Sequence, residues 1–148
     1  MLDLYAGSGS FSIEAVSRGA ESAVAVERSS RPGATAKANI ALTGFDSNIE
    51  LVRADVAAYV RRTVDETSFD IVFADPPFAK ADDKCPSFRK LRGLLGDITA
   101  PDGLFVIRIF EQVEVPQVAA MKLTKDKKIG ISRLLFYQHE GQREGNTS

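Results

Sequence analysis

Asp75-Pro76-Pro77-Phe78 closes the run FDIVFADPPF, and its residue types are the best suited to chemistry in the chain. Two consecutive prolines fix φ and remove two backbone donors. What remains are carbonyl oxygens and the Asp75 carboxylate, all of them acceptors. Such a turn fits a ligand that presents N–H donors. Phe78 adds a flat apolar face for a nucleobase, a stacking contact worth about 1–3 kcal/mol in single-strand sites. Acceptors holding both N–H groups of an exocyclic base amine favour the pyramidal nitrogen that develops as its lone pair attacks a methyl group. A methyl on a sulfonium already has a good leaving group, so positioning can carry most of that catalysis. A rigid turn capping a strand is the plainer reading of an isolated Asp-Pro-Pro.

A second group of residues precedes it. Asp3-Leu4-Tyr5-Ala6-Gly7-Ser8-Gly9-Ser10 stands where a first strand hands over to a helix. Glycines at 7 and 9 let the backbone turn tightly and approach a ligand. The last place of the dinucleotide fingerprint G-x-G-x-x-G is Ser12 here, which counts against NAD without excluding it. Glu27 ends a second strand, where an acid can accept from both ribose hydroxyls of an adenosine cofactor. Asp55 ends a third strand, within reach of an adenine amino group. Taken singly, each acid is equally a helix N-cap. With Asp3 they form a line of carboxylates along one sheet edge. That line suits a sulfonium with a free ammonium and does not suit a pyrophosphate.

The elements that must position these residues follow from periodicity. Strands are expected at 2–6, 22–27, 49–54, 69–74 and 103–110. Helices are expected over Ser10–Arg18, from Ser30-Arg31-Pro32 to Gly44, over Val56–Val64, and across Phe88, Leu91, Leu94, Leu95 and Ile98. The first would turn Phe11, Ala15 and Val16 to one side, and the second Ala34, Ala38 and Leu42. Alternation of this kind implies βαβ units and a parallel sheet. After Phe110, MKLTKDKKIG and SRLLFYQH read as an antiparallel hairpin closing the sheet. The expected class is therefore α/β, a mostly parallel Rossmann-like sheet with a C-terminal antiparallel hairpin.

Composition narrows the function. The chain has 148 residues, is 44% hydrophobic and 26% charged, and carries a net charge of −1. These values fit one globular domain with a real core. A net charge this small gives no global attraction to nucleic acid, so any such attraction must be local. No apolar run approaches the roughly 18 residues of a membrane span. One cysteine, Cys85, and one histidine, His139, exclude a disulfide framework and a Cys/His zinc site and fit a reducing, cytoplasmic setting. No metal is expected, and neither Cys85 nor His139 is given a role.

DLYAGSGSFSIEAVSRGA, VAVE, the later Asp55, FDIVFADPPF and the terminal KKIGISRLLFY together resemble the bacterial 16S ribosomal RNA guanine-N2 methyltransferases, the small-subunit methyltransferase D type. The glycine loop is shared by many methyltransferases. The D-P-P-F element narrows the class to amino-group enzymes, and SIEAVSRGA is the more specific pointer. The resemblance implies a catalytic domain over 1–140, a flexible polar tail over 141–148, S-adenosyl-L-methionine as cofactor, and 16S ribosomal RNA or the small ribosomal subunit as partner of a monomer. It implies that Asp3, Gly7 and Gly9 line the methionine end of the cofactor, Glu27 holds the ribose and Asp55 sits by the adenine. Asp75 and the Pro76 carbonyl would hold the amine, and Phe78 would stack on a flipped guanine. Such enzymes carry an N-terminal segment with a basic hairpin and a helix before this loop. The chain is expected to lack it, and with it part of the grip on RNA.

Basic residues supply further expectations. Lys80, Lys84, Arg89, Lys90 and Arg92 follow the proline turn and can neutralise RNA phosphates, or simply form a solvated helix face. Lys122, Lys125, Lys127 and Lys128 read as ordinary surface. The competing functions are an adenine-N6 DNA methyltransferase with a related proline turn, a catalytically weak RNA-binding remnant, and an NAD-dependent oxidoreductase.

Overall fold

The computed structural model describes residues 1–77 and 86–141. Its elements run β1 (Leu2–Leu4), α1 (Ser10–Ser17), β2 (Ala23–Val26), α2 (Ser30–Thr43), β3 (Ile49–Val52), α3 (Val56–Thr63), β4 (Phe69–Ala74), α4 (Pro86–Arg92), α5 (Leu95–Ile98), β5 (Thr99–Phe110), β6 (Met121–Ile129) and β7 (Ser132–His139). The strands form one sheet in the order β3-β2-β1-β4-β5-β7-β6. The first five are parallel to their neighbours, and β7 pairs antiparallel with both β5 and β6.

Register, more than strand order, decides which residues can share a site. Leu4 lies level with Val26 on one side and with Ala74 on the other, and Val26 lies level with Val52. Four parallel strands therefore end together, and the residues after them emerge along one edge. In open α/β sheets that carboxyl edge is where ligands bind, at the point where strand order reverses. Here the reversal falls between β1 and β4.

Strand alternation divides the core between the two faces. Leu2, Leu4, Val72 and Ala74 are fully buried and pack with Val60 of α3, Phe88 and Leu91 of α4, and Leu95 and Ile98 of α5. Ala23, Ala25, Ile40 and Ile49 form a smaller cluster on the opposite face, with Ile13 and Val16 of α1 against it. Burial of each large side chain contributes about 1.5–3 kcal/mol.

Local signals explain the helix ends. Asp55 caps α3, its Oδ1 accepting from the Ala58 N–H at 3.0 Å, and Arg61 and Arg62 occupy the last turn, where cations favour the helix dipole. Gly44 ends α2 at φ +73°.

Three expectations need correction. In α2 the inward stripe is Gly33, Ala36 and Ile40, while Ala34 and Ala38 are exposed and Leu42 is 85% exposed. Gly33 makes room for the Arg53 side chain, and Ala36 lies against Gly9 of the loop after β1. Phe11 does not join the core with Val16; it is partly exposed and stacks on Phe73, ring centroids 3.8 Å apart. The helix expected across Phe88–Ile98 is broken into α4 and α5 near Gly93.

Candidate active site

The turn after β1 puts Gly7 at φ +57° and Gly9 at φ +78°, a region that side chains with a Cβ rarely adopt. Tyr5 also takes a positive φ, 62°. The Gly7 N–H donates to Oε2 of Glu27 at 2.8 Å, and the Ser29 N–H donates to Oε1 at 2.8 Å. The Glu27 carboxylate thus ties the glycine loop to the start of α2. Carboxylate oxygens have about two lone pairs each, so a hydroxyl donor can still be accepted.

A cleft of about 280 Å³ opens beside this tie, lined by Tyr5, Gly7, Glu27, Arg28, Ser29, Pro32, Asp55, Val56, Asp75 and Pro77. Gly7, Glu27, Asp55 and Asp75 meet there, as the line of strand ends implies. The Arg28 guanidinium stands 3.8 Å from Asp55. Asp55 both caps α3 and borders the cleft.

Asp3 does not line the cleft. It points toward α1, is 1% exposed, and accepts a 2.8 Å hydrogen bond from the Ser12 hydroxyl. Burial pushes its carboxyl up to about 6, the Ser12 bonds pull it back, and the negative charges of Asp75 and Glu27 add to the rise. Asp3 is level with Phe73 on β4, so Phe11 and Ser12 of α1 rest on neighbouring strands at adjacent positions.

Asp75 follows β4, its N–H directed at the Leu4 carbonyl at 3.4 Å. Pro76 is buried and Pro77 exposed. Oδ2 of Asp75 accepts from Nη1 of Arg108 at 3.3 Å, and Nε of Arg108 donates to the Ser132 hydroxyl at 3.3 Å. Sequence reasoning missed Arg108. Its one signal was a lone charge in the otherwise apolar strand GLFVIRIF.

Phe78, Lys80, Lys84 and Cys85 lie outside the described residues. Arg89 and Lys90 are exposed on α4, whereas Arg92 donates to the Gln117 carbonyl at 3.4 Å. Among the described residues no cluster of His, Cys, Asp and Glu could hold a metal, and no helix is long and apolar enough to cross a membrane.

This sheet order, with a glycine loop after the first strand, is the Rossmann-like fold of S-adenosylmethionine-dependent methyltransferases. The chain belongs to the family described as Conserved hypothetical protein 95, which it matches over residues 1–138. It is 29% identical over 147 residues to the Bacillus subtilis protein named "Putative rRNA methyltransferase YlbH", covering 95% of this chain and 76% of that one. It is 35% identical over 77 residues to the Ribosomal RNA small subunit methyltransferase D of Buchnera aphidicola, covering 52% of this chain and 39% of that protein. A solved structure of a conserved hypothetical protein from Streptococcus pyogenes superposes with a TM-score of 0.78 at 32% identity, covering 96% of this chain and 86% of that one. The relatives are thus named as rRNA methyltransferases, in line with the class that the sequence resemblance implies.

Proposed function

We propose that the protein transfers a methyl group from S-adenosyl-L-methionine to the exocyclic N2 amine of a guanine in 16S ribosomal RNA. The observation that carries this reading is the level ending of β1, β2 and β4, which sets an acceptor-only Asp75-Pro76-Pro77 turn on the same cleft as Gly7, Glu27 and Asp55.

The donor set fits the cofactor. Glu27, already oriented by two backbone donors, accepts the ribose hydroxyls. Asp55 accepts from the adenine amine. Gly7 leaves room for the methionine end, Gly9 closes the turn against α2, and the buried charge of Asp3 behind the loop favours a cation. Bound there, the cofactor supplies an electrophilic methyl on a positively charged sulfur. The remaining work belongs to the chain. The Asp75 carboxylate and the Pro76 carbonyl hold the two N–H groups of the amine and so favour the nitrogen lone pair aimed at the cleft. Phe78 stacks on the extruded base.

Transfer of labelled methyl to unmethylated small ribosomal subunits, followed by nucleoside analysis, tests this. The expected product is N2-methylguanine in 16S RNA, lost on Asp75→Ala. N6-methyladenine as product, unchanged transfer by that variant, or binding of NAD without S-adenosylmethionine overturns it.

A further inference from the structure

We propose that the β6–β7 turn, Lys127-Lys128-Ile129-Gly130-Ile131, is an RNA wedge that enters the base stack beside the target nucleotide while Asp75 holds its amine. The proposal rests on the RNA-methylating reading above and assigns a substrate surface that the reading leaves open.

Place is the first argument. Ser132 pairs with Phe110 at the end of β5 and with Ile129 across the turn. Arg108 touches both Ser132 and Asp75, at 3.3 Å each, so one side chain separates the turn from the amine-holding carboxylate. The Glu111 N–H donates to the Ile131 carbonyl at 2.9 Å and fixes the turn to the end of β5. The turn therefore rises from the same carboxyl edge as Asp75, on the side away from Glu27 and Asp55.

Residue type is the second. Gly130, at φ +59°, takes the first central place of a two-residue hairpin loop, which leaves Ile131 at the second. Ile131 is 70% exposed and Ile129 51% exposed. Turn tips favour polar residues. A single exposed aliphatic residue needs no explanation, but two at one tip beside a base-amine clamp do. Enzymes that act on a base draw it out of the stack, and aliphatic side chains inserted between base steps offset the lost stacking.

Charge is the third. Lys127 and Lys128 adjoin the tip, with Arg133 and Arg108 close behind. Three of these four cations pair with an acid, Lys128 with Glu111 at 2.5 Å, Arg133 with Asp126 and Arg108 with Asp75. The exposed Lys128–Glu111 pair can be exchanged for a phosphate contact at little cost, while Arg108 stays on Asp75. An apolar tip between cations matches an unstacked RNA strand, which offers bases and phosphates together, better than it matches an apolar protein surface.

The test compares wild type with the Ile129→Ser, Ile131→Ser double variant and the Lys127→Ala, Lys128→Ala double variant on unmethylated small subunits. Calorimetry with S-adenosylhomocysteine runs in parallel. The isoleucine variant is expected to raise KM for subunits about tenfold, the size of one lost stacking contact, with unchanged S-adenosylhomocysteine affinity. The lysine variant is expected to flatten the salt dependence of RNA binding by about one and a half units of slope, two phosphate contacts at about 0.7 each. A photo-crosslinking residue at position 131 is expected to label 16S RNA. Unchanged KM and salt slope, or a crosslink to ribosomal protein alone, overturns the wedge while wild-type methyl transfer keeps the underlying reading intact. A wild type that transfers no methyl and binds no RNA overturns both.

Discussion

The Gly7 N–H donates to Glu27 at 2.8 Å, so the loop after β1 is held in shape by the acid that ends β2. The same carboxylate takes the Ser29 N–H with its other oxygen. Glutamine in this place keeps one acceptor oxygen but turns an amide donor toward the second N–H. A charge-assisted bond is lost and a backbone donor is left unmet, at about 1–3 kcal/mol. Glu27→Gln is expected to weaken S-adenosylhomocysteine binding at least about tenfold by calorimetry. Affinity within twofold of wild type contradicts the tie.

The two glycines of that loop have different surroundings. Both have positive φ, which costs a residue with a Cβ about 1 kcal/mol or more. A Cβ on Gly7 meets nothing within 4 Å, whereas one on Gly9 lies 3.4 Å from the Ala36 Cβ of α2. That contact is an ordinary van der Waals distance, so Gly7→Ala and Gly9→Ala are each expected to lower stability by about 1 kcal/mol through backbone strain, read from the urea midpoint. An unchanged midpoint in either variant contradicts the strained turn.

Asp3 predicts a pH dependence of stability. The unfolded chain releases this proton near pH 4 and the folded protein near pH 6. Between those values the folded state binds the extra proton, so the contribution of Asp3 to stability falls as pH rises through the folded value of about 6 and then levels off. The loss is on the order of 2–3 kcal/mol. Asp3→Asn keeps an acceptor for Ser12 and removes the titration. Its Tm is expected to match wild type near pH 4 and to exceed it by about 4–8 °C at pH 7.5, while S-adenosylmethionine binding weakens. A difference between the two proteins that does not change with pH rules out this origin.

The sheet was legible because βαβ alternation leaves runs such as AVAV and FDIVFA that only strands accommodate. The hairpin was legible because apolar residues resume after the proline-containing segment 111–117. The glycine loop and the proline turn were legible because Gly and Pro restrict backbone geometry by themselves. Three features were not. Leu42 looked like core because Ala34, Ala38 and Leu42 also share one helical face; the buried stripe lies on Gly33, Ala36 and Ile40 instead. Asp3 looked like a cleft residue because spacing cannot tell which face of a strand a side chain takes. The place of the β6–β7 turn at the carboxyl edge was not readable because only pairing with β5 sets it there.

Arg108 bridges the hairpin and the proline turn, and it separates stability from catalysis. Its pair with Asp75 is about half exposed on both sides, so water and salt screen it and its worth is about 0–1 kcal/mol. Arg108→Gln is expected to change the unfolding free energy by less than about 1 kcal/mol. Its effect should fall on Asp75, which loses the group that fixes its orientation. Misplacing an acceptor by a fraction of an ångström is costly in rate when catalysis rests on positioning. Arg108→Gln is therefore expected to lower kcat about tenfold with little change in KM for small subunits, the opposite of the split expected for Ile129 and Ile131. Full kcat in that variant, measured with saturating subunits and cofactor, leaves Asp75 oriented by its own turn alone.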